Sequence, residues 1–179
     1  PKSTSSPCKD PLWLNGSFQF DIEQISNHLE GGFKDTQEAA IKNILTTQGS
    51  LQIIALPTGF GKTRIIQATS SILYKNELGP SLMISPIIAL RDDQREAFQR
   101  EFDGNPQMPD EYKLNSRFIT AADTDIINIQ DELMGGEIGL LCCSPEQLMT
   151  PGWNQSWMEV FRKMEKPFST LIIDEAHLV

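Results

Sequence analysis

The feature that most restricts how this chain folds is an apolar, Ile-rich hexad at 51–56, followed at once by a Pro/Gly loop and a long helical stretch. A short apolar run of this kind predicts a strand buried on both faces, and the pattern over 62–76 predicts a helix. Between them stands Leu56-Pro57-Thr58-Gly59-Phe60-Gly61-Lys62-Thr63. Gly59 and Gly61 let the backbone take positive φ and turn successive N–H groups toward one anion, and the helix N-terminus adds its partial positive charge. Lys62 is then placed to reach the β and γ phosphates of a nucleotide, and the Thr63 hydroxyl to ligand Mg²⁺. The strict spacing asks for Gly five residues before Gly61, where this chain has Leu56, so the match is partial. The flanking strand and helix supply the context.

The same order repeats downstream. Strands are expected at 81–85, 117–120, 138–143 and 170–174, alternating with helices at 89–102, 125–134 and 157–164. Upstream, Ile22, Ile25 and Leu29 recur at helical spacing until Gly31 and Gly32 end the run. A second helix is expected to be capped by Asp35 with Glu38 three residues later, burying Ala39, Ile41, Ile44 and Leu45. Alternation of this kind predicts an α/β fold, a mostly parallel sheet with helices on both faces. Residues 1–20 read as a linker or extension and 21–179 as one domain, an ordinary size for a single core.

Charge and cysteine content narrow the function classes. Fifteen Lys and Arg stand against 24 Asp and Glu, a net charge of −9, so no overall basic field holds a phosphate backbone and any nucleic-acid contact is local. Three cysteines, Cys8 and the adjacent Cys142 and Cys143, make no disulfide framework, and no further Cys or His stands at metal-ligand spacing. No apolar run approaches the roughly 20 residues of a membrane span. An intracellular setting is expected, cytoplasmic in a prokaryote and nuclear in a eukaryote. The chain opens without Met and stops directly after an acidic cluster, which reads as a piece of a longer protein.

The last expected strand ends in Asp174-Glu175-Ala176-His177. In an open parallel sheet the carboxyl ends of the strands share one edge, which brings Asp174 and Glu175 toward the glycine loop. Asp174 would then hold Mg²⁺, mostly through water, and Glu175 would orient and deprotonate an attacking water, an effect of about 10² to 10⁴ in rate.

Loop and acidic pair together resemble the first motor domain of superfamily 2 helicases, most closely the RecQ type. Phe33-Lys34-Asp35-Thr36-Gln37-Glu38-Ala39-Ala40-Ile41 resembles that family's adenine-recognition motif. Ser85-Pro86-Ile87-Ile88-Ala89-Leu90-Arg91 resembles its second motif, and Ser144-Pro145-Glu146-Gln147-Leu148 the segment that follows. The resemblance implies a RecA-like P-loop domain with ATP and Mg²⁺ as cofactors, incomplete at its C-terminus. The nucleotide would lie against Phe33, Lys34, Gln37, Pro57, Thr58, Gly59, Phe60, Gly61, Lys62, Thr63 and Arg64, with Gln37 on the adenine edge and Mg²⁺ on Thr63 and Asp174. It further implies single-stranded DNA along Ser85, Pro86, Arg91 and Ser144, and coupling through His177 to a second RecA-like domain of the same longer chain. The implied activity is that of an ATP-dependent 3'-5' DNA helicase, with the isolated chain inactive or nearly so.

Three departures from the family pattern stand out: Glu30 in place of an aromatic residue, and Lys34 and Gln147 each in place of Arg. The strand expected after the acidic box is missing, which predicts a gap between the 51–56 strand and the one ending at Asp174. Two alternatives stay open at this point, another superfamily 2 motor (an RNA helicase or double-strand DNA translocase) and a nucleotide-binding switch that does not hydrolyse.

Overall fold

A computed structural model describes residues 17–47, 51–57, 59–86, 96, 98–119, 126–149 and 151–174, with only the backbone of residues 17 and 151–155. Four strands, β1 (Ser81–Ile84), β2 (Arg117–Ile119), β3 (Leu140–Cys143) and β4 (Thr170–Ile173), form one sheet in the order β2-β3-β1-β4. Every pairing is parallel, with Ile84 opposite both Cys143 and Ile173, and Ile119 opposite Cys143. The four strands therefore end on one rim.

Helices cover both faces, as the alternation predicts. On one, Leu82, Leu141 and Cys143 pack under α4 (Ile126–Met134) and α6 (Pro151–Lys163), with Trp157 sealed between. On the other, Met83, Leu140 and Cys142 meet Phe98 and the helix α3 (Lys62–Lys75) through Ile66 and Tyr74. Outside α3 lie α1 (Ser17–His28) and α2 (Asp35–Thr46), which bury Ile22, Ile25, Ile41 and Leu45 against Ile65, Ala68 and Ile72.

Polar ties fix these layers. The Asp21 carboxylate, 2% exposed, accepts hydrogen bonds from Lys75 Nζ (2.6 Å), Tyr112 Oη (2.8 Å) and Asn76 Nδ2 (3.0 Å), joining α1 to the end of α3. Burial works against the Lys75 charge, but its bonds to Asp21, Tyr112 and Glu111 outweigh that and raise its pKa. Burial and the nearby Asp21 push the Tyr112 phenol up to about 12. Asp103 accepts the backbone N–H groups of Leu114, Asn115 and Ser116 (2.6, 3.0 and 2.8 Å), which aims the chain into β2.

Several sequence expectations are corrected. Residues 51–57 form no strand, and Leu51 and Ile53 are 90% and 86% exposed. A strand buried on both faces needs a ladder neighbour, and among the described residues none pairs with this segment, so hydrophobicity alone does not bring it into the sheet. Among the described residues the sheet stops at β4, on the side where the gap was expected. Helix α1 begins at Ser17, inside the stretch 1–20 expected to be linker or extension, because Phe18 joins the buried face.

At α2 the cap is Lys34, one residue before Asp35, and Gln37 rather than Glu38 reaches back, its Oε1 accepting the Lys34 N–H at 2.9 Å. Glu38 instead pairs with Lys42 one turn on (2.7 Å), and Ala39 is exposed. Helix α6 starts at Pro151, ahead of the expected 157, since proline is well suited to the first helical position. The short helix α5 (Pro145–Met149) was not anticipated. Of the expected helix over 89–102, residues 96 and 98–102 are described: 96 and 98–100 are helical, and 101–102 already form a turn.

Candidate functional site

The site is assembled on the rim where the strands end. Helix α3 returns antiparallel to the sheet: Tyr74, near its end, donates its hydroxyl to Gly136 O (2.6 Å) beside the start of β3, and the chain then turns into β1. At about 1.5 Å rise per residue, the 14 residues of α3 carry its first turn to the opposite, carboxyl rim. Lys62 and Thr63 open this helix. Gly59 and Gly61 have φ of 80° and 78°, in the left-handed region that favours glycine. Phe60 N–H donates to Pro57 O (3.2 Å), closing a turn with Gly59 at the position that requires positive φ in a type II turn.

Gly61, in the left-handed conformation, is the N-cap of α3, and no side chain caps it. The first turn of this 14-residue helix carries one Lys and one exposed Thr, and its N-terminal partial positive charge favours an anion. This donor set fits a nucleotide phosphate. An Mg²⁺ ion prefers oxygen ligands, and Thr63 on the loop side and Asp174 on the strand side supply a hydroxyl and a carboxylate.

Asp174 directly follows β4, and its N–H donates to Ile84 O (2.9 Å), extending the ladder by one step. Its Oδ2 accepts a hydrogen bond from Ser85 Oγ at 3.3 Å, linking two predicted site residues. Ser85 is 2% exposed and Ser144 7%, and Ser144 Oγ accepts the Gln147 N–H (3.1 Å) as the cap of α5. Both serines are thus buried and bonded within the protein at the ends of their strands, and Pro86 is half-buried. Thr58, Arg91, Glu175 and His177 lie outside the described residues.

Of the residues expected to meet the base, Gln37 is 2% exposed and its amide is engaged: Nε2 donates to Phe60 O (2.9 Å) and Gly61 O (3.4 Å). Lys34 Nζ stands 5.2 Å from the centre of the Phe60 ring. Phe33, half-buried, packs beside the α1–α3 core, its N–H bonded to Ser26 Oγ (3.0 Å). Arg64 makes a fork with Glu101 (Nε to Oε2 2.9 Å, Nη2 to Oε1 2.8 Å), and its Nη1 donates to Glu30 O and Gly32 O (3.2 and 3.3 Å). The neighbouring Glu101 raises the Arg64 pKa.

Glu101 was not singled out in the sequence; it lies 37 residues from Arg64, and no local pattern announces the pair. Burial pushes the Cys143 thiol up to about 12, in keeping with a small core group rather than a nucleophile. Among the described residues no cluster of His, Cys, Asp and Glu large enough to hold a metal by itself occurs, and no helix is long and apolar enough to cross a membrane.

A parallel sheet with a glycine loop and helix N-terminus on the same rim as a strand-end carboxylate defines a P-loop nucleotide-binding domain. The family model of the DEAD/DEAH box helicase matches residues 34–179, and the chain belongs to that family. It is 32% identical over 151 residues to the ATP-dependent DNA helicase Q-like 5 of Arabidopsis thaliana, a match covering 82% of this chain and 14% of the relative. It is 28% identical over 149 residues to the ATP-dependent DNA helicase RecQ of Haemophilus influenzae, covering 82% of this chain and 20% of that protein. The RecQ-like resemblance carried by the motifs stands with these relatives. The chain spans a fifth or less of their length.

Proposed function

We propose that this chain is the ATP-binding part of a RecQ-type, ATP-dependent 3'-5' DNA helicase that couples hydrolysis to strand separation or translocation. The observation that carries the reading is the start of α3, with left-handed Gly61 as its N-cap and Lys62 and Thr63 in its first turn, on the rim where β4 delivers Asp174. Both relatives are named as ATP-dependent DNA helicases, which favours DNA as the track.

In this reading the N–H groups around Gly59 to Thr63 hold the phosphates, and Lys62 neutralises charge at the transferred group. Thr63 and Asp174 hold Mg²⁺, which when bound withdraws charge from the phosphate oxygens. Glu175 accepts a proton from the attacking water. The chain at Ser85, Pro86, Arg91 and Ser144 lines the side facing a single DNA strand, contacting phosphates through backbone groups and Arg91 rather than a basic patch, since the two serine hydroxyls are bonded within the protein. His177 passes the state of the site to a second RecA-like domain whose arginines complete it.

The test is DNA-stimulated phosphate release by the full-length protein and its Glu175→Gln variant. A loss of about 10² to 10⁴ is expected in the variant, and equally low rates in both proteins would replace the motor with a non-hydrolysing switch. Residues 1–179 alone are expected to bind nucleotide weakly and not to unwind DNA, since a trans arginine contributes about 10³ to 10⁵ in rate.

A further inference from the structure

The loop between the two left-handed glycines has one side chain available as an anchor, that of Phe60, and the structure grips this residue twice. Its ring faces the Lys34 ammonium at 5.2 Å, and its carbonyl accepts from Gln37 Nε2 at 2.9 Å. Both partners come from the turn into α2, so this segment contacts the phosphate loop directly before any nucleotide joins them.

The geometry is tight where it matters. A Cβ at Gly61 would collide with Gln37 Nε2, whereas one at Gly59 would meet nothing within 4 Å. The Gln37 amide is held from behind by Lys34 N–H (2.9 Å), so it is not free to swing away without giving up that half-buried bond. Two flanking glycines would otherwise leave the loop many backbone states, and an anchored Phe60 removes most of them.

We infer that Phe60 is a positioning residue: clasped by Lys34 through its ring and by Gln37 through its carbonyl, it holds the phosphate loop in its anion-ready shape. This rests on the nucleotide reading above, and it assigns Lys34 and Phe60 to shaping the phosphate pocket rather than to selecting the base. An ammonium over an exposed aromatic face shifts an equilibrium by about two- to fivefold. The loop-open population changes by that factor when the pair is broken, and phosphate affinity falls with it.

The experiment uses the full-length protein with Lys34→Gln, Phe60→Leu, the double variant, and Lys34→Arg, which keeps the cation. Binding of ATP and of inorganic tripolyphosphate is measured by calorimetry, and amide exchange at residues 60–62 is followed without ligand. The expected result is an equal weakening, about two- to fivefold, for ATP and tripolyphosphate in each single variant. The double variant should be no weaker than either single one, Lys34→Arg should match the parent, and exchange should quicken by the same factor. Weaker ATP binding with tripolyphosphate unchanged would overturn the inference, because the pair would then act on the base; so would unchanged exchange. If the parent chain binds neither ligand, the nucleotide reading fails, while the exchange rates still decide whether the clasp holds the loop.

Discussion

β3 and β4 are four-residue apolar strands of the same parallel sheet, yet all four β3 side chains are buried while Leu171 and Ile173 of β4 are 59% and 49% exposed. The difference lies in neighbours. β3 pairs with β1 on one side and β2 on the other and lies under α4 and α6; β4 pairs with β1 alone among the described residues. Leu171 and Ile173 continue the face of Leu82 and Ile84, but among the described residues the helical cover does not reach them. Apolar sequence thus makes a strand, and a second ladder partner makes it core.

The largest effect expected from this contrast is on stability. Leu141→Ala, at a position fully buried in β3, should cost about 2–5 kcal/mol, because it leaves a cavity between sheet and helices. Leu171→Ala on β4 should cost less than about 1 kcal/mol, since half its surface is already in water. Urea unfolding of the two variants measures the gap, and similar midpoints would show that β4 is as well enclosed as β3.

The joint between α1 and α3 is a second enclosed region, held by polar atoms instead of ladder bonds. Asp21→Ala should cost about 1–3 kcal/mol, because Tyr112, Asn76 and Lys75 lose their shared acceptor. The pH dependence has a definite sign. Both Lys75 and Tyr112 have folded-state pKa values raised above the ordinary ones, so each contributes stability fully below pH about 10 and loses it as pH rises through the folded value. The melting temperature should fall between pH 10 and 12, with a smaller fall in Tyr112→Phe. A melting temperature flat across that window would mean that the network contributes no proton-linked stability.

These contrasts also explain what was legible in the sequence. The strands β1 to β4 and the helices α3 and α4 were readable because period and breaker agree locally, as at Gly135 and Gly136 after Met134. The 51–56 run was misread as buried because its periodicity carries no information about which strands flank it. Lys34 escaped notice as a cap because its side chain accepts nothing; the cap works through Gln37, which sequence reasoning had reserved for a base. The rim shared by α3, Ser85 and Asp174 was deducible from parallel topology, whereas the Arg64–Glu101 fork, joining distant segments, had no local signature. The lesson is that order along the chain specified the sheet, while the partners of each polar group had to be seen in space.

On the loop side the two glycines offer a finer contrast. Gly59→Ala and Gly61→Ala both place a side chain at positive φ, costing roughly 1–2 kcal/mol in backbone strain. Only the second also displaces Gln37. Gly61→Ala should therefore weaken tripolyphosphate binding further than Gly59→Ala, a difference that calorimetry on the two variants would measure. Equal losses would mean that the loop responds to strain alone.

The smallest effect concerns the β4 edge itself. Exposed apolar side chains beside an unpaired ladder template are a liability for edge-to-edge association, which charged or hydroxyl side chains blunt. Leu171→Thr with Ile173→Thr should leave the unfolding midpoint within about 0.5 kcal/mol of the parent, because threonine keeps strand propensity and the positions are half in water. The same pair should raise the concentration at which the 179-residue chain self-associates, as followed by light scattering. If instead the double variant unfolds far more easily, the two side chains are buried in the folded state in solution, and β4 has gained the second neighbour that sets β3 apart.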